Sequence, residues 1–61
     1  MLIFYKTIDG HTVWFSGFLD GRCCVSRKLD RAFHFNVIEF NDLFLLLNDG
    51  FIPQWGLVYN V

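Results

Sequence analysis

Six side chains of this 61-residue chain could act as nucleophile or base: Ser16, Ser26, Cys23 and Cys24 as the first, His11 and His34 as the second. Nucleophilic catalysis needs a hydroxyl or thiol beside a base, with the base held by a third group. No spacing among the six unites such a set. His11 directly follows a turn dipeptide, an ordinary place for a solvated polar residue. Asp9 and Asp20 each precede a glycine, where the short side chain serves turn geometry. Asp30, Glu39, Asp42 and Asp49 fall in connections or at expected helix ends. Cys23 and Cys24 are adjacent, so on a strand they point to opposite sides. There is no C-x-x-C pair, and the two histidines do not complete a zinc set. Each glycine already has a turn, cap or strand role, which leaves none for a phosphate loop. The expectation is a chain that is not an enzyme and has no metal or cofactor, with both thiols reduced.

The elements that must position everything else are organised around Asn41–Val61. Asn41 reads as a helix N-cap. Asp42 then meets the positive helix end. Gly50 suits the left-handed position that closes a helix, with Phe51 reaching back onto Leu46. Pro53 keeps the helix from resuming. This predicts a helix over 42–49, too short to be stable alone and therefore held by packing. At about 100° per residue, Leu46, Leu43, Leu47 and Phe44 form one apolar arc. Leu45 falls among the polar residues. Either it meets Phe40 in a hydrophobic staple or it meets a partner.

Residues 2–8 and 11–18 are rich in β-branched and aromatic types and are joined by Asp9-Gly10. A second pair, Asp20-Gly21, leads into RCCVSR. Two-residue Asp-Gly loops predict hairpins and fix their register. Phe4 then faces Phe15, Tyr5 faces Trp14, Phe18 faces Cys23 and Trp14 faces Arg27. Sorting by alternation places Leu2, Phe4, Ile8, Val13, Phe15, Leu19 and Cys24 on one face. Met1, Ile3, Tyr5, Trp14, Phe18, Cys23 and Val25 fall on the other. That is seven apolar groups on each face, where a sheet with one wet face should alternate apolar and polar.

After the polar connection 26–31, residues 32–38 alternate well enough to predict a fourth strand, with Phe33, Phe35 and Val37 on one side. Residues 55–61 predict a last one. The expected fold is a single α+β domain over 1–61: a small antiparallel β-sheet in β-β-β-β-α-β order, with one short helix packed on one face. Arg31–Phe35 meets the aromatic-strand pattern of RNA-recognition domains only in part. Arg31, Phe33 and Phe35 match that pattern; Ala32, His34 and Asn36 break it.

Composition narrows the function. A chain this short buries only about 60% of its unfolded surface and is marginal unless something is added. It is 54% apolar with twelve aromatic residues and a mean hydropathy of +0.38, a great deal for so small an interior. Association is the addition that the sequence favours. The longest apolar run, Leu43–Leu47, is far short of the ~20 residues that a membrane helix needs. A soluble, cytoplasmic protein is expected, in the host cytoplasm if phage-encoded, with no membrane partner. All five basic residues lie at or before Arg31, so residues 1–34 carry +2 and residues 35–61 carry −3.

The expected function is a small non-enzymatic protein–protein interaction module, such as a phage-type inhibitor or regulator of a larger host protein. A homodimer is an equivalent way to cover the second face. Tyr5, Trp14, Phe18, Arg27 and Leu45 are the interface candidates. The alternative is a small nucleic-acid-binding protein that uses Tyr5, Trp14, Arg27, Lys28 and Arg31.

Overall fold

The structure, a computed structural model, describes residues 1–55. Strands β1 (Leu2–Ile8), β2 (His11–Leu19) and β3 (Arg22–Ser26) form a meander, followed by one 3₁₀ turn, Leu29–Arg31. Helix α1 spans Phe40–Asn48, and β4 spans Ile52–Trp55. The sheet is antiparallel in the order β3-β2-β1-β4, and the helix packs on one of its faces. The fold is a small α+β fold.

The turn chemistry acts as its residue types dictate. Both residues of each Asp-Gly loop have positive φ, the mark of a type I′ hairpin. Ile8 pairs with His11 and Leu19 with Arg22 across them. Tyr5 stands opposite Trp14, and Phe18 opposite Cys23. Trp14, however, faces Ser26 rather than Arg27, because the register shifts between Phe15 and Gly17. One extra residue on β2 makes a β-bulge there, and Gly17 sits at φ +137° within it. The bulge also reassigns faces. Phe18 meets Phe15 edge-on with ring centroids 4.9 Å apart, and Cys23 packs against the main core. Both belong to the helix side, the reverse of simple alternation, and Cys24 turns to the far side.

Residues 32–38 are not a fourth strand. Pairing of β1 with β2 stops at Tyr5 and Trp14. Beyond that point the segment 33–35 lies between the two strands. The Phe33 N–H donates to the Phe15 carbonyl at 2.7 Å, and Phe35 exchanges two bonds with Leu2 at 2.8 and 3.1 Å. A single bridge, between Leu2 and Phe35, lies in that opening. The alternation does hold locally, since Phe33 and Phe35 lie on one side with centroids 4.7 Å apart.

The helix begins two residues earlier than its sequence suggests. Glu39, in extended conformation, is the N-cap and makes no side-chain cap bond; Asn41 lies inside the first turn. Phe40 rests on Phe44, with centroids 4.7 Å apart, so the expected staple to Leu45 is replaced by an i,i+4 aromatic pair. The C-terminus follows expectation. Gly50 has φ +93°, its N–H donates to Leu47, and the Phe51 N–H donates to Leu46, the two bonds of a Schellman closure. Leu46 and Phe51 then enter the core together with Leu2, Phe4, Phe15 and Phe35.

Phe15 is the hub of that core: its ring meets those of Phe18, Phe33, Phe35 and Phe51. Burying each such side chain stabilises by about 1.5–3 kcal/mol. Lys6 ties the helix end to β1. Its Nζ donates to the Asp49 carbonyl at 3.1 Å and meets the Asp49 carboxylate at 3.2 Å, and it lies 4.5 Å from the centre of the Phe51 ring. A cation is favoured at a helix C-terminus. Pro53 lies within β4, opposite Phe4, and is tolerated because β4 is an edge strand among the described residues. Of the strand expected at 55–61, the part after Trp55 lies outside the described residues.

Candidate interaction surface

The sequence-derived candidates separate into three places. Tyr5 and Trp14 form a tilted pair on the far face, with ring centroids 5.5 Å apart and both half-buried. Their row runs from Ile52 on β4 through Tyr5 and Trp14 to Ser26 on β3. Arg27 is displaced from this row by the bulge and stays exposed with Lys28 and Arg31 on the connection that follows β3. The Lys28 N–H donates to Ser26 Oγ, which turns the chain away from the strand.

Phe18 and Leu45 meet elsewhere. Phe18, on β2, is 40% exposed, and Leu45, on α1, is 53% exposed. Both line an open cleft of about 380 Å³ between the β2–β3 hairpin and the C-terminal half of the helix, with Gly21, Arg22, Cys23, Asn48 and Asp49 around them. The hairpin turn puts Arg22 at one rim, and the Schellman closure puts Asp49 at the other. The cleft thus has a mixed lining, Phe18, Cys23 and Leu45 beside Arg22, Asn48 and Asp49.

Cys23 is the one chemically distinctive group in the cleft. Burial above all, and then the Asp49 carboxylate, push its thiol above the ordinary value, against a smaller opposing pull from Lys6. A thiol held protonated is a poor nucleophile near neutrality. Neither cysteine is in a disulfide. Among the described residues no three His, Cys, Asp or Glu side chains come together as a metal site, and no helix is long and apolar enough to cross a membrane.

One exposed group escaped sequence reasoning. Phe40, Phe44 and Leu47 are 70%, 51% and 44% exposed. At i, i+4 and i+7 they form a stripe along the flank of α1 opposite the cleft. Phe44 and Leu47 were expected in the buried arc, of which only Leu43 and Leu46 pack against the core. The i,i+4,i+7 spacing is visible in the sequence once the helix is started at Phe40.

No protein-family model, curated protein or solved structure matches this chain.

Proposed function

We propose that this chain is a small non-enzymatic protein–protein interaction module whose cleft receives an apolar side chain of a larger protein. The convergence of Phe18 and Leu45 over that cleft carries the reading. Two large apolar groups, contributed by different elements and rimmed by Arg22, Asn48 and Asp49, resemble the desolvated anchor pockets that dominate protein interfaces. The protonated Cys23 thiol suits contact better than reaction. A chain of this size acts by occupying a surface, as a phage-type inhibitor or regulator of a host protein would, and its free thiols suit a reducing cytoplasm.

The second reading is a small nucleic-acid-binding protein using Tyr5, Trp14, Arg27, Lys28 and Arg31. The half-buried Tyr5–Trp14 pair supports it; the displacement of Arg27 from that row weakens it. Affinity purification from host lysate, with and without nuclease, separates the two. A protein retained by the wild type, insensitive to nuclease and missing with Leu45→Glu, is the expected result. Release by nuclease, or retention by the Leu45→Glu variant, would overturn the proposal.

A further inference from the structure

The two walls of the cleft are held differently. Phe18, Gly21, Arg22 and Cys23 belong to the β2–β3 hairpin, where the pairing of the two strands fixes them. Leu45, Asn48 and Asp49 belong to the end of α1, and that wall has a thin hold. Leu46 is the one buried residue of α1, and Leu43 is only partly buried against the core. Phe44, Leu45 and Leu47 stay open to solvent. A helix this short does not stand without packing. Past Leu46 the wall has one polar tie. Lys6 with Asp49 is the only ion pair among the described residues, and it joins groups 43 positions apart. Lys6 stands on β1, outside the cleft, with its side chain 21% exposed. It holds the Asp49 carbonyl as well as the carboxylate and covers the Phe51 ring on the other side of Gly50. Asp49 in turn acts on the Cys23 thiol across the cleft.

We propose that Lys6 is a positioning residue for the cleft. From β1 it sets where the end of α1 stands against the β2–β3 hairpin, and so the width of the space between Phe18 and Leu45. The consequence for binding rests on the partner-binding reading above; the positioning itself does not. Without the Lys6 cation, Asp49 turns to water, the last turn of α1 loosens from β1, and the cleft opens around Cys23. A partner side chain then meets a wall that must first be ordered, which lowers affinity.

Two variants give the test. Lys6→Met keeps an apolar stem over Phe51 and loses both bonds to Asp49; Lys6→Arg keeps a cation that reaches them. The amides of Asp49, Gly50 and Phe51 close the helix. In Lys6→Met they should exchange several-fold faster, while those of Phe33 and Phe35 keep their rates. Cys23, followed in the Cys24→Ser background, should react faster with iodoacetamide. The sign matters, because Lys6 pulls the Cys23 thiol down. Loss of its charge alone would raise the thiol further and slow the reaction. Lys6→Arg should restore both readings. Faster exchange at all amides alike would make Lys6 a general stabiliser, and slower or unchanged alkylation would leave it a charge at a distance; either overturns the proposal. For binding, the protein retained from host lysate and lost with Leu45→Glu should be retained several-fold less by Lys6→Met and recovered by Lys6→Arg. Loss with Leu45→Glu but full retention by Lys6→Met would overturn the link to affinity. Retention that survives Leu45→Glu instead overturns the partner-binding reading, and exchange and alkylation then judge the positioning by themselves.

Discussion

At the scale of single residues, two positions carry testable physics. Gly50 has φ +93°, and a Cβ there would meet nothing within 4 Å. The cost of a side chain is therefore backbone strain, free of any clash. Gly50→Val should lower stability by about 1–2 kcal/mol, and Gly50→Asn by less, because Asn tolerates this region better. Thermal melts of the two variants check the order; equal melting temperatures would deny the left-handed cap. The second position is Cys23, whose thiol is pushed above the ordinary thiol value by burial and then by Asp49. A folded pKa above the unfolded one stabilises fully below the unfolded pKa. That stabilisation is lost as pH rises through the folded value. Alkylation of Cys23 by iodoacetamide at pH 8, followed in Cys24→Ser, should be slower in the native protein than in urea. Equal rates would place the thiol in open solvent.

At the scale of elements, local chemistry was legible and non-local pairing was not. Asp9-Gly10 and Asp20-Gly21 set two hairpins because a type I′ turn is decided by the two residues it contains. Gly50 and Phe51 set the helix end for the same reason. The helix start was missed because Glu39 caps through backbone conformation alone, while Asn41 has the better capping side chain. Gly17 read as an ordinary strand glycine, so the bulge beside it went unseen, and with it the faces of Phe18 and Cys23. Residues 32–38 have a true two-residue period, yet Phe33 and Phe35 bond to two different strands. No periodicity encodes that. Amide hydrogen exchange tests this arrangement. The Phe33 and Phe35 amides should be protected, and Gly17→Ala, which strains a φ of +137°, should speed exchange at Phe33 and cost about 1–3 kcal/mol. Free exchange at Phe33 in the wild type would remove the insertion between β1 and β2.

At the scale of the whole molecule, the expectation of two equally apolar faces gives way to a more particular distribution. The bulge moves Phe18 and Cys23 to the helix side, where Phe18 joins Leu45 at the cleft. The far face keeps Ile3, Tyr5, Trp14 and Ile52. Tyr5 with Trp14 could be read from hairpin register alone. The meeting of Phe18 with Leu45 could not, because it depends on the bulge and on where α1 lies over the sheet. By the per-residue norm, a domain of this length has about 3–9 kcal/mol of stability in all. It nonetheless leaves Phe40, Phe44, Leu45 and Leu47 in solvent.

The most direct test of the cleft as the working surface is the affinity for the captured partner, measured by titration calorimetry across salt concentration. Contact through Phe18 and Leu45 predicts an affinity nearly flat between 50 and 200 mM salt, as roughly expected where apolar burial dominates. It also predicts a loss of about tenfold or more in Leu45→Glu, with an unchanged melting temperature. A fall of about 20–40-fold over that salt range, as three phosphate contacts would give, removed by replacing Arg27, Lys28 and Arg31 and untouched by Leu45→Glu, would contradict it.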